Sequence, residues 1–433
     1  MAEADTCYLV EGGVSLRGEV SLQGAKNAAL PLLAAALLTD DDMVLENVPR
    51  LEDSLDLGRF LKLLGVGIRR EGTRVTVSPG KLRKTTVPED FANKTRHCLL
   101  ALGPLLARFG ELEIAFPSGC PIGTRKFDYH LEGLEKMGAE IELLPNRIRG
   151  RAKKLSGVDF RFHYPSFSGT LNLLFAASLA EGRTVLSNAA VNPEVGDAIS
   201  CLIAMGARIA GMGTRTLAVD GVKKLHGVSW RVMDDRIEMF TLITAAAITG
   251  GSVFVRGGNL SLIAAEGEKL KEAGVDLRQG GDGVAVRAPG TLQGCAVATA
   301  AYPGFHTDNQ PAFCALMARA AGESAIKETI LENRFAYVPE LNRFGAEARV
   351  EAGGFLCVNG MPGQLARIKG VRELKGAEAR AFDIRGGAAL VLAALAAQGE
   401  SRINNVYQIE RGYGDLPGKL RALGGRVRRI ARR

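Results

Sequence analysis

LKLLGVGI, residues 61–68, closes a helix-like pattern with a glycine and runs straight into strand-like alternation, and the chain repeats this event. The punctuation returns as LEKMGAEI (134–141), LIAMGARI (202–209), LKEAGVDL (270–277), LNRFGAEA (341–348) and LRALGGRV (420–427). The stop glycines Gly65, Gly138, Gly206, Gly274, Gly345 and Gly424 stand roughly seventy residues apart, the spacing of a repeated supersecondary unit. About two dozen residues before each stop lies a turn followed by an alternating strand: DDDMVLEN, FGELEIAF, EGRTVLSN, GGSVFVRG, AGESAIKE and QGESRINN. Ahead of each turn is a stretch rich in Ala and Leu, such as ALPLLAAALL, LLFAASLAEG or AALVLAALAAQG. A helix that is apolar all round belongs inside a protein. The unit therefore reads as buried helix, strand, amphipathic helix and strand, with extra strands between, and six units divide naturally into two α/β domains of three.

A chain of 433 residues is long enough for two such cores. Its apolar runs, Ala28 to Leu38 among them, are too short to cross a bilayer, so no membrane segment is expected. The opening MAEADTCYLV lacks the basic, then apolar, pattern of a secretory signal, which places the chain in the cytoplasm. Seven cysteines and five histidines are scattered without C-x-x-C or H-x-x-x-H spacing, so neither a metal site nor a disulfide framework is expected. The net charge of +8 owes much to Arg426, Arg428, Arg429, Arg432 and Arg433 at the very end, which reads as a solvated tail and not as a nucleic-acid surface. The sequence is silent on oligomeric state.

Polar residues gather where the buried helices begin: GAKN (24–27), NKTR (93–96), SFSGT (166–170), DDRIE (234–238), HTDNQ (306–310) and FDIR (382–385). Ordinary capping accounts for hydroxyls such as Thr307 and Ser168. Capping does not account for Lys26, Arg96 or Arg385, because a cation there opposes the helix dipole and asks for an anionic partner. Cys120, in the loop-like PSGCPIGTR (117–125), stands close to Arg125, and a neighbouring cation draws a thiol toward reactivity. An inert buried thiol is the alternative, as expected for Cys98, Cys201 and Cys314 on apolar helix faces.

Several long stretches in order, GEVSLQGAKNAALPLLAAALL, GCPIGTR, PGFHTDNQPAF, ETILENRFAYVPEL and IERGYGDLPGKLRALGG, resemble the enolpyruvyl transferases nearly end to end. The resemblance implies an α/β, two-domain fold of six βαβαββ repeats, three per domain, as an inside-out α/β barrel. Chain crossings are expected near positions 25 and 233, giving one domain of 26–233 with the Cys120 loop and another of 1–25 plus 234–433 with Asp308 and Arg411. The implied reaction moves the enolpyruvyl group of phosphoenolpyruvate to a hydroxyl of a uridine nucleotide and releases phosphate, with no cofactor and no metal. Lys26, Asn27, Arg125, Arg385 and Arg411 would hold phosphoenolpyruvate, while Asp308 would be the base or positioning group beside the attacking hydroxyl. Cys120 would protonate the methylene carbon or assist product release, on a lid that closes over the substrates, and its alkylation by fosfomycin is implied with it. The acceptor would meet Asn27, Arg96, Arg125, Lys126, Phe127, Asp128, Tyr129, His130, Tyr164, Ser166, Phe167, Ser168, Thr170, Thr307, Asp308, Ile330 and Arg334.

Departures from the family pattern collect on the nucleotide side. After Arg125 the usual Pro-Val-Asp-Leu-His is Lys126, Phe127, Asp128, Tyr129 and His130; Tyr164 replaces a lysine that reaches the nucleotide phosphates; and Ser-Val-Gly-Ala-Thr is here Ser166 to Thr170. Glu238 to Thr241 and Gly386 with Gly387 also depart from it. Two acceptors follow: UDP-N-acetylglucosamine, which leads to peptidoglycan precursors, or a nucleoside monophosphate such as UMP, as in nucleoside-antibiotic pathways. A catalytically silent nucleotide-sugar-binding paralogue is the reading of another class, opposed by the joint retention of Lys26, Asn27, Cys120, Arg125, Asp308 and Arg411. An RNA-end-processing enzyme ranks last, since only 6% of residues are aromatic.

Overall fold

The structure, a computed structural model, describes residues 6–80, 82, 85, 86, 96–115, 128–145 and 147–431. These residues form two compact units, one from 6–23 with 234–431 and the other from the described residues of 24–115 with 128–233. Each unit has its own apolar core.

The stop glycines explain the punctuation. All six lie in the left-handed region, with φ between +84° and +102°, where a side chain is strained. At Gly65 the helix Glu52–Leu63 is closed by two reversed bonds, Gly65 N–H to Lys62 O at 2.9 Å and Val66 N–H to Leu61 O at 3.0 Å. The same pair recurs at Gly138, Gly206, Gly274 and Gly424. A helix thus ends two residues before the glycine and a strand begins two residues after it, which sets the repeat.

The buried helix of the third, fifth and sixth units connects two parallel strands of one sheet. In the third unit, strand Asp159–Arg161 leads to a helix and back to Arg183–Ser187, which pairs with it in parallel; Thr216–Asp220 and then Arg208–Ala210 add antiparallel neighbours. Five sheets share this four-strand order, and the sixth, Glu111–Ala115 with Arg147–Arg151 and Glu140–Leu144, has a parallel bridge from Thr86 to Glu113 in the place of its first strand. Three sheets borrow strands from far along the chain. Ser229–Arg231 pairs in parallel with Met43–Glu46, while Arg17–Ser21 pairs with Ser252–Arg256 and Thr6–Glu11 inserts between Glu400–Asn404 and Arg426–Ala431. The N-terminal strands therefore belong with the last half of the chain.

The six buried helices are α1 (Lys26–Ala35), α2 (Leu102–Phe109), α3 (Phe167–Leu179), α4 (Arg236–Ile248), α5 (Gln310–Met317) and α6 (Ile384–Ala396). All thirteen residues of α4 are buried. Within each unit the apolar helices are buried and the sheets flank them, as the resemblance implied. A further regularity escaped the sequence reading: Asn47, Asn188 and Asn405 end the strands after α1, α3 and α6 at φ 54–60°, and each side chain donates to the carbonyl that ends the parallel strand beside it, Val232, Phe162 or Ala381, at 2.7–3.0 Å. Asn is the residue that tolerates this conformation and still offers a donor. Among the described residues no helix is long and apolar enough to cross a membrane.

Candidate active site

Cys120, Arg125, Lys126 and Phe127 lie outside the described residues. The other residues named from the sequence are distributed over the starts of the buried helices and the loops beside them, and each unit is taken in turn.

In the unit of residues 24–233, Lys26 and Asn27 open α1. Gly24 just ahead packs so closely that a Cβ there would stand 1.7 Å from the Asn47 carbonyl oxygen, so the chain enters the helix at a point only glycine can occupy. Lys26 is 7% exposed, and its Nζ lies 3.1 Å from Asp53 Oδ2, which also meets His97 Nε2 at 3.1 Å. The anion that Lys26 asks for at a helix N-terminus is thus supplied in part from within, by a carboxylate on the next helix. Arg96 opens the short 3-10 turn Arg96–Ala101 that leads into α2.

His130 is 3% exposed in the helix Asp128–Lys136. Its Nδ1 faces Asn172 Nδ2 at 2.7 Å and its Nε2 faces Ser168 Oγ at 3.0 Å. Asn172 Oδ1 accepts the Gly103 N–H at 2.6 Å and Nδ2 also donates to the Leu99 carbonyl, so Nδ2 is the donor toward His130. The network therefore assigns the proton of a neutral His130 ring to Nε2, aimed at Ser168. Ser168 is not the helix cap that was expected. Ser166 caps α3, accepting the Gly169 N–H at 3.2 Å, because it stands at the last extended residue before the helix. Thr170 is fully buried, and its Oγ1 accepts the Ala190 N–H at 3.0 Å. Tyr129 and Tyr164, two departures from the family pattern, meet edge to face with ring centroids 5.7 Å apart. Both are half-buried, as is Phe167, while Asp128 is exposed. Burial, and next the neighbouring Tyr164, raises the Tyr129 phenol above its ordinary range.

In the unit of residues 6–23 and 234–431, Asp308 sits between two guanidiniums. Arg334 Nη2 contacts Oδ1 at 3.1 Å and Arg385 Nε contacts Oδ2 at 3.3 Å. Arg334, 1% exposed, also reaches Asp383 Oδ1 at 3.2 Å and the Thr307 carbonyl at 3.2 Å. Burial alone opposes a charged Arg385, yet Tyr413, Asp308 and Asp235 outweigh it and hold its pKa above the usual value. Its Nη1 is buried and makes no hydrogen bond among the described residues. Asp383 caps α6, accepting the Arg385 and Gly386 N–H groups at 2.9 and 3.0 Å.

Thr307 does not cap α5 either. Its hydroxyl lies 3.1 Å from both oxygens of buried Glu328, and neither it nor Asp308 occupies the position before the helix, which is Asn309. Glu328 also accepts the Ile330 N–H at 2.9 Å, and its burial raises its pKa despite that bond. Arg411, half-buried, donates to Gln408 Oε1 at 3.1 Å. The sequence reading did not name Asp53, His97, Asn172, Glu266, His306, Glu328 or Asp383 as site residues. Asp383 stood in the quoted FDIR and could have been read as a cap, while His306 and Glu328 opened the quoted HTDNQ and ETILENRFAYVPEL; Asp53, His97, Asn172 and Glu266 carry no local signal. Cys98, Cys201 and Cys314 are buried as expected, and burial pushes the thiols of Cys201 and Cys314 up to about 12.

Comparison with known proteins gives the class, a transferase of the enolpyruvyl kind. Residues 10–420 match the family model of EPSP synthase (3-phosphoshikimate 1-carboxyvinyltransferase). The chain belongs to this enolpyruvyl transferase family and, within it, groups with the UDP-N-acetylglucosamine 1-carboxyvinyltransferases. It is 44% identical to the one from Granulibacter bethesdensis over 425 residues, covering 98% of this chain and 99% of the relative. With the Gluconacetobacter diazotrophicus relative it shares 45% over 426 residues, again 98% and 99%. Among solved structures, the enolpyruvyl transferase NikO from Streptomyces tendae superposes with TM-score 0.87 at 24% identity, covering 99% of each chain. EPSP synthase from Acinetobacter baumannii superposes at 0.75 and 18%, covering 98% of this chain and all of that one. Both are likenesses of fold.

Proposed function

We propose that the chain transfers the enolpyruvyl group of phosphoenolpyruvate to the 3-hydroxyl of UDP-N-acetylglucosamine and releases phosphate, a step toward peptidoglycan precursors. The observation that carries this reading is near-full-length identity of 43–45% with enzymes named for that transfer. The site residues are compatible with it. In the addition step the acceptor oxygen bonds to C2 of phosphoenolpyruvate, its proton leaves, and C3 gains a proton. In the elimination step C3 gives up a proton and the C2–O bond to phosphate breaks.

Asp308 receives or orients the hydroxyl proton, and Cys120 supplies the proton to C3 or assists release. Lys26, Arg125, Arg385 and Arg411 are the cations assigned to the carboxylate and phosphate; fixed cations stabilise charge that develops in the transition state without reorganising. The unpaired Nη1 of Arg385 favours an anionic ligand, since a buried donor without an acceptor costs about 1–3 kcal/mol. Tyr129, Tyr164, His130 and Ser168 face the nucleotide end of the acceptor.

Phosphate release from phosphoenolpyruvate, with product masses recorded, tests the reading. Turnover with UDP-N-acetylglucosamine and silence with UMP supports it; turnover with UMP alone replaces it with the nucleoside-monophosphate reading. In the active enzyme, Cys120→Asp is expected to keep turnover and lose fosfomycin inactivation, and full activity of Cys120→Ala would remove any essential role for the thiol.

A further inference from the structure

Asp308 lies on a segment that is neither helix nor strand, between the strand Ala296–Ala298 and α5. Backbone with that freedom has to be held by contacts from elsewhere. Glu266, 2% exposed in the first turn of the helix Ala264–Glu272, accepts the His306 N–H at 2.8 Å and the Asn309 side-chain amide at 3.0 Å through a single oxygen. Asn309 directs its Nδ2 to Glu266 and caps no N–H of α5; its Oδ1, the atom a cap would use, is buried and makes no hydrogen bond among the described residues.

The His306 ring folds back along its own chain, and its Nδ1 accepts the backbone N–H of Asp308 at 3.1 Å. Since that backbone group can only donate, Nδ1 is the bare nitrogen and a neutral ring carries its proton on Nε2. Burial is the main influence on this imidazole; Arg236, Arg385 and Arg334 add to it, Asp308 opposes, and the pKa falls to about 3. The lone pair on Nδ1 is therefore kept in neutral solution.

We propose that His306 and Glu266 are positioning residues for the transfer, setting the backbone at Asp308 so that its carboxylate meets the acceptor hydroxyl in the orientation the attack needs. The inference rests on the proposed role of Asp308. His306 reaches the N–H two residues on, the bond an Asn side chain makes in an Asx turn. His306→Asn thus preserves the acceptor and His306→Leu removes it.

The test is steady-state kinetics with phosphoenolpyruvate and UDP-N-acetylglucosamine for His306→Leu, His306→Asn, Glu266→Ala, Asp308→Asn and the double variant His306→Leu/Asp308→Asn, each checked by thermal melting. His306→Leu and Glu266→Ala are expected to lower kcat roughly 10- to 100-fold, because misplacement by about 1 Å can cost that much, with both KM values within about threefold. His306→Asn should return kcat to within about threefold of the parent. The double variant should be no slower than Asp308→Asn, since a positioning residue has nothing left to position.

Parental kcat in His306→Leu, or an equal further loss on the Asp308→Asn background, overturns the inference. If Asp308→Asn keeps parental turnover, the role of Asp308 falls and the inference falls with it; if Asp308→Asn is slow and His306→Leu is not, the inference alone falls. Should Glu266→Ala fail to fold, the two His306 variants decide.

Discussion

The two units hold their site residues in different ways. In residues 24–233, Lys26 shares one carboxylate with a histidine, and Asn172, His130 and Ser168 form a chain of hydrogen bonds. In residues 6–23 and 234–431, two buried arginines grip one aspartate, and a third buried arginine, Arg236, lies with its guanidinium 5.2 Å from the Tyr302 ring. The first arrangement leaves hydroxyls and aromatic faces to contact a ligand. The second concentrates charge where it has no freedom to relax. Such ion pairs are poor sources of net stability but expensive to break, so their presence is better explained by the charge they fix than by the fold they support.

That contrast can be broken most severely at Arg334. Arg334→Leu removes a fully buried guanidinium that two carboxylates share, leaving Asp308 to Arg385 and Asp383 to the first N–H groups of α6, and a loss of about 3–5 kcal/mol in unfolding free energy is expected from denaturant melts. Lys26→Met should cost less, about 1–3 kcal/mol, because Asp53 keeps His97 at 3.1 Å. Equal losses at the two sites would erase the distinction.

The third effect is a pH dependence. His306 titrates near 3 in the folded chain and at its ordinary 6.5 when unfolded, so between those values the unfolded chain binds the extra proton. Stability from this group is complete above pH 6.5 and declines as pH falls, by at most about 1.4 kcal/mol per pH unit. The melting temperature of the parent should therefore drop more between pH 7 and pH 5 than that of His306→Asn; parallel curves would contradict the assigned environment. The smallest effect belongs to the strand ends. Asn188→Ala should cost about 1 kcal/mol, and Asn188→Gly less, because glycine keeps the backbone conformation and loses the side-chain bonds to the Phe162 and His163 carbonyls alone.

The repeat was legible because its punctuation is local. A glycine at φ near +90° is demanded by the backbone itself, whatever packs around it, and six glycines in step announce six units. Apolarity all round likewise marks a helix as buried before its neighbours are known. Capping was less legible: Ser166, Ser168 and Thr307 are all hydroxyl residues near a helix start, and which one caps depends on where the first helical residue falls. A shift of two residues turned Ser168 from a cap into a partner of His130. The cationic helix starts at Lys26 and Arg385 were correctly read as needing anions, yet the nearest anions proved to be Asp53 and Asp308 within the protein.

The number of units, the helices that would be buried and the chemical types at the helix starts are all written locally, since each depends on residues adjacent in the chain. Which groups answer one another is a property of the folded chain. Glu266 meets His306 and Asn309 across some forty residues, Arg385 meets Asp308 across a longer span, and Asn172 meets His130 from another helix. Hydrogen bonds and ion pairs act over a few ångströms in space and carry no trace of their partner in the local pattern, so they become readable only when the repeats are folded against each other.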